Sequence, residues 1–149
     1  MTIKEIYNFY SKLKKIYTIN PDTILDEIGI EYEYANLGDL HGYYANLSRN
    51  YKMIGINNNL EDWLKNFTIF HEVAHHFHGH QGRIFKNYGR IDSNIEERDA
   101  DILATLFLLK YEKFKYDFIT LDNIILPEKI DYYMRMLSET LESNQLMSL

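Results

Sequence analysis

The chain has 149 residues, enough for one domain that buries about 70% of the surface its unfolded form exposes. At 46% apolar and 15% aromatic it is globular, and with no cysteine it has neither a disulfide framework nor a thiolate metal site, so any transition metal must be held by histidine and carboxylate. A formal net charge of -6 argues against direct nucleic-acid binding, which needs a basic face to displace counterions.

Residues 2–17 place Ile3, Ile6, Tyr7, Tyr10, Leu13 and Tyr17 mostly at three- and four-residue steps, which predicts an amphipathic helix. Charges run through this segment, so it lacks the apolar core of a signal peptide. The longest apolar run, 102–109, is interrupted by Thr105 and is too short to span a bilayer. No membrane association and a cytoplasmic location are expected. Asn20-Pro21 then reads as an N-cap and first helical residue of a short helix ending near Gly29.

The period changes at Ile30. Ile30-Glu31-Tyr32-Glu33-Tyr34 alternates as a half-buried strand does, and Gly42-Tyr43-Tyr44-Ala45 and residues 51–56 are two further strands rich in Tyr and Ile. Turns at Gly38-Asp39 and Ser48-Arg49-Asn50 separate them. The expected arrangement is a small three-stranded antiparallel meander, packed against helices because so small a sheet is marginal alone. Asn57-Asn58-Asn59 reads as the cap of a long helix over 60–78. Residues 79–92, with Gly79, Gly82 and Gly89, form a loop, and Ser93-Asn94-Ile95-Glu96 is a capping box opening a helix to about Tyr111. A last helix runs from about Pro127 to about Leu141. The fold class is α+β, a three-stranded antiparallel sheet on a helical core, and residues 1–149 form a single domain.

The chemistry lies in His71-Glu72-Val73-Ala74-His75. Residues four apart share a helix face, so His71 and His75 present two imidazoles to one point at the spacing a zinc ion needs. Glu72, one residue on, sits beside the metal, where a general base for water belongs. Chance occurrence of so short a pattern is the competing explanation; it loses because the motif falls inside a predicted helix and a third ligand stands on the next one. That ligand is Glu97, with Asp101 one turn later on the same face to hydrogen-bond the outer nitrogen of His71. Taken alone, Glu96 and Glu97 would be favourable charge at a helix N-terminus. The rival ligands are His78 and His80. The spacing HExxHxxGxxH of three-histidine sites fails here, because His78 stands where the glycine belongs and Gln81 where the last histidine does. His78 is assigned as a helix C-terminal cation or outer group, His76 and His80 as surface histidines, and His41 as structural. Tyr88, His76 and His41 are open alternatives for stabilising an oxyanion.

Residues 54–57 (Ile-Gly-Ile-Asn), 67–78 (Phe-Thr-Ile-Phe-His-Glu-Val-Ala-His-His-Phe-His) and 97–104 (Glu-Arg-Asp-Ala-Asp-Ile-Leu-Ala) together resemble the ImmA/IrrE metallo-endopeptidases, gluzincin-like proteins of bacteria, phages and mobile elements. The resemblance covers about residues 28–110. It implies one Zn2+ ion on His71, His75 and Glu97, with Glu72 catalytic, in a compact α+β fold. It also implies a protein substrate, a helix-turn-helix transcriptional repressor whose cleavage releases a phage, mobile-element or stress circuit. The alternatives are a metal-stabilised module that sequesters a repressor without cutting it, or a protease toxin. The family often continues into Leu-Leu-x-Pro, whereas here Leu108-Leu109 is followed by Lys110-Tyr111.

Overall fold

Helix α3 (Asp62–His78) is the element around which the others are arranged. Its residues 67–70 and 72–75 are all buried, so it has apolar surroundings on nearly every side. In the computed structural model, which describes residues 1–48, 50–80, 91–115 and 128–149, it packs on strands β2 (Gly42–Ser48) and β3 (Tyr51–Asn57) and, more extensively, on helix α4 (Ile91–Lys115). Ala74, Ala100 and Ala104 are fully buried, consistent with close approach of α3 and α4. Helix α1 (Ile3–Ile16) covers α4 with Ile6, Tyr7, Tyr10 and Leu13 and is capped by Thr2, whose hydroxyl accepts the Glu5 N–H. Helix α5 (Glu128–Thr140) packs on α4 and α1 through Ile130, Tyr133 and Leu137. A short α2 (Ile24–Ile28), strand β1 (Glu31–Ala35) and a terminal α6 (Ser143–Met147) complete the described elements. Buried side chains from Ile6 to Leu141 form one continuous cluster. No helix among the described residues is long and apolar enough to cross a membrane.

The α+β class stands, but the sheet is mixed, not an antiparallel meander. Strand order is β1-β3-β2: β3 pairs antiparallel with β2 and parallel with β1. The strands run in the directions a meander would give, but β3 inserts between its two predecessors. Alternation of apolar residues fixes which face is buried and says nothing of lateral order. What holds the inserted order is Asn57, only 3% exposed. Its side-chain amide donates to Gly38 O (3.0 Å) and Leu40 O (2.9 Å), and its backbone N–H donates to His41 O (2.8 Å). The connection that carries the chain from β1 across to β2 is thereby tied to the end of β3.

Asn57 is thus a stitch in the sheet and not part of a helix cap. Its Oδ1 accepts the Asn59 N–H, while α3 begins at Asp62 behind Glu61, which makes no side-chain cap bond. Likewise Asn20 closes a turn by accepting the Asp22 N–H, and α2 starts only at Ile24. Helix α4 starts at Ile91, so Ser93 lies inside its first turn instead of ahead of it, and the helix reaches Lys115, beyond the expected end. Arg49, the loop positions Gln81, Gly82, Tyr88 and Gly89, and Pro127 lie outside the described residues.

On the face of the sheet away from α3, Tyr43 reaches across β3 and its hydroxyl donates to Glu33 Oε1 on β1 (2.7 Å). The ring passes over Gly55, where an added Cβ would overlap it. One side chain therefore spans all three strands because the middle one has none. Gly55→Ala should lower the unfolding free energy by about 1–3 kcal/mol, the usual cost of overpacking. In a Tyr43→Ala background the same change should cost almost nothing, a non-additivity that a denaturant-melt double-mutant cycle measures.

Candidate metal centre

His71 and His75 are brought together by the helix alone. Their Nε2 atoms lie 3.1 Å apart, with the rings at 86°. Glu97 comes from the first third of α4: its Oε2 is 2.8 Å from His71 Nε2 and its Oε1 is 3.2 Å from His75 Nε2. Ligand atoms of the three residues all lie within 4.8 Å of one another, and among the described residues they form the one such cluster. Around a tetrahedral ion with bonds of about 2.0–2.1 Å, neighbouring ligand atoms are roughly 3.3 Å apart. Two imidazole nitrogens and a carboxylate at nearly that spacing fit a zinc-type donor set. The fit is chemical as well, since two imidazoles and a carboxylate facing one another offer three lone pairs to a cation or to shared protons.

Charge balance points the same way. Burial by itself lowers the pKa of His71, but the carboxylates of Asp101 and Glu97 outweigh it and raise it to about 9. Burial raises that of Glu97, yet His71 and His75 hold its carboxyl far below the usual carboxylate range. The pocket stabilises positive charge at its centre.

Asp101, one turn beyond Glu97 and 4% exposed, stands behind His71. Its Oδ1 is 2.8 Å from His71 Nδ1, although the two are not aligned as a formed hydrogen bond. Its Oδ2 accepts from Tyr133 (3.1 Å) and pairs with the Lys129 ammonium (2.9 Å), both on α5. Against burial, His71 and Lys129 lower the Asp101 pKa. Burial and the Asp101 charge raise that of Tyr133, so it remains a donor.

Glu72 is buried at 3% exposure, and its Oε2 has no hydrogen-bond partner among the described residues. It borders a cavity of about 600 Å³ that also takes in His71, Glu97, Lys129 and the start of β2 at His41 and Gly42. Gly42 makes room for Glu72: a Cβ there would stand 2.7 Å from Thr68 Cγ2 and 3.4 Å from Glu72 Cγ. The cavity floor is apolar, with Trp63, Leu64, Phe67 and Ile130.

The remaining histidines fall differently from their sequence assignments. His76 is half-buried, its Nδ1 3.3 Å from the hydroxyl of Tyr44, whose ring lies parallel to that of His75. His80 is no ordinary surface residue; its Nδ1 is 2.8 Å from Nδ1 of His75. His78 stacks on His80, and burial lowers its pKa, so it is not a helix-terminal cation at neutral pH. Burial, then His75 and His78, push His80 down to about 4. His41 is exposed at the cavity, and its backbone carbonyl serves the sheet.

Lys129 and Tyr133 are the residues that sequence reasoning misses, and His80, read there as a rival ligand and then as a surface histidine, stands instead behind His75. The first two lie more than fifty residues beyond the motif, with no local pattern linking them to it. His80 was legible, because a glycine at the end of a helix folds the next residue back onto the last turn.

Neither curated proteins nor solved structures give a match to this chain. The family model described as the IrrE N-terminal-like domain, a peptidase family, matches residues 25–142. That span reaches well past the expected 28–110 and takes in the sheet, the His71–Glu97 cluster and the α5 residues behind Asp101. The chain belongs to the ImmA/IrrE family of metallopeptidases.

Proposed function

We propose that the protein is a zinc-dependent metallo-endopeptidase, formed as one domain over residues 1–149, that acts in the cytoplasm on a helix-turn-helix repressor of a phage, mobile-element or stress circuit. The observation that carries this is the meeting of His71, His75 and Glu97 at ligand spacing beside a cavity into which a buried, unpartnered carboxylate faces. His71, His75 and Glu97 would hold the ion, and Asp101 would fix the ring of His71. When bound, zinc supplies Lewis acidity, polarising a carbonyl and lowering the pKa of water to about 7.

The protein's own groups do the rest. Glu72 takes the proton of the attacking water on Oε2 and delivers it to the leaving amine nitrogen. Its freedom from other hydrogen bonds leaves both lone pairs available, and its burial keeps bulk water from competing. Among the described residues, strand β2 has a neighbour on one side only, and its first residue, Gly42, borders the cavity. An extended substrate would add to that edge, with backbone hydrogen bonds holding the scissile bond at Glu72. The apolar cavity floor would take a side chain of the substrate. The repressor as target follows the family resemblance, and the charge of -6 agrees with a substrate that is protein and not DNA.

Three outcomes are expected. Glu72→Gln should retain its metal and lose about 10²–10⁴-fold in cleavage rate, read by metal analysis and by gel against a helix-turn-helix repressor encoded beside this gene. Cleavage at full rate by the metal-replete variant would sink the mechanism, and binding of the repressor without fragments by the wild type would favour a sequestering module. Glu97→Ala should lose the metal while Glu96→Ala keeps it; equal loss from both would overturn the ligand assignment. A chelator should abolish cleavage and added zinc restore it.

A further inference from the structure

The C-terminus of α3 brings a second histidine against a ligand of the metal centre. Gly79 has a φ of 70°, the left-handed conformation that closes a helix. Its N–H donates to His76 O (3.1 Å), and the N–H of His80 donates to His75 O (3.0 Å). This closure sets the residue after the glycine over the residue five positions earlier, where two apolar side chains usually meet. Here the two residues are His75 and His80. Their Nδ1 atoms are 2.8 Å apart, and the rings cross at 61°.

The other ring nitrogen of His75, Nε2, faces His71 and Glu97. An imidazole that offers its lone pair at Nε2 carries its hydrogen on Nδ1. That hydrogen points to His80, so His80 Nδ1 must be the acceptor and its own hydrogen must sit on Nε2. The acceptor is itself held in place: His78 stacks on His80 at 5.0 Å and 16°, and Phe9 of α1 packs on His78 at 5.2 Å.

We infer that His80 is a positioning residue for His75, accepting its Nδ1–H and so fixing the tautomer and ring rotation that aim Nε2 at the metal. The inference rests on the metal-centre reading above. It makes the two histidine ligands unequal: His71 is backed by the charged carboxylate of Asp101, His75 by a neutral ring. A neutral acceptor orients the ligand without adding negative charge next to the ion.

The test is zinc affinity of the full chain, measured by competition with a chromophoric chelator. His80→Phe keeps a ring for the His78 stack and removes the acceptor; it should bind zinc about 10–100-fold more weakly than wild type. His80→Asn places a carbonyl oxygen where Nδ1 was and should recover most of that loss. Wild-type affinity in His80→Phe, or equal weakness in both variants, would overturn the role. Nitrogen-15 shifts of the zinc-loaded wild type give a check that needs no variant: His80 should be protonated on Nε2, and protonation on Nδ1 would refute the assignment. A wild type that binds no zinc would overturn the metal-centre reading instead.

Discussion

Helix α3 is enclosed by the sheet and α4, yet it carries three ionisable side chains into that enclosure. Glu72 opens onto the cavity, whereas His71 and His75 take their partners from the protein. Glu97 faces both imidazoles, Asp101 stands behind one and His80 behind the other. Glu97 and Asp101 come from α4 and His80 from the end of α3, and each position is set by a backbone event: the register of α4 along α3, or the glycine closure of α3. The packing alanines matter for the same reason. A larger residue at Ala74, Ala100 or Ala104 would force the helices apart and separate Glu97 from the histidines it must meet.

One glycine of the sheet serves the same enclosure from the opposite side. Gly42 lets β2 lie close to Thr68 and Glu72, so that the carboxylate is covered without being hydrogen-bonded. Tyr44, two residues on, lays its fully buried ring parallel to that of His75. Neither strand residue is a metal ligand or a base. Both determine how much room Glu72 and His75 have.

Much of this is legible in the sequence. Four-residue spacing on a helix places His71 and His75 together by geometry alone, and a second helix rich in acid at its start offers Glu97 at one-turn spacing from Asp101. Helix existence followed from apolar periodicity, and the boundaries of α1 and α3 fell within two residues. The order of the strands was not legible, because period-two alternation is the same for a meander and for a sheet with β3 inserted. Asn57 looked like a helix cap because Asn is common there; its buried amide instead satisfies two loop carbonyls. Lys129 and Tyr133 carried no signal, since a contact between distant helices has no local period. His80 carried one, and it lay in the glycine before it.

The attachment of Lys129 and Tyr133 to Asp101 makes α5 part of the same electrostatic unit as His71. Docking of that helix and charge at the centre are therefore linked, and linkage is reciprocal. An ion seated between the histidines would change how Asp101 holds Lys129 and Tyr133, and hence how firmly α5 docks on the body. A partner protein that gripped α5 would, by the same free-energy cycle, alter the affinity for the ion. The last long helix of the chain is in this sense a handle on the His71–His75–Glu97 centre.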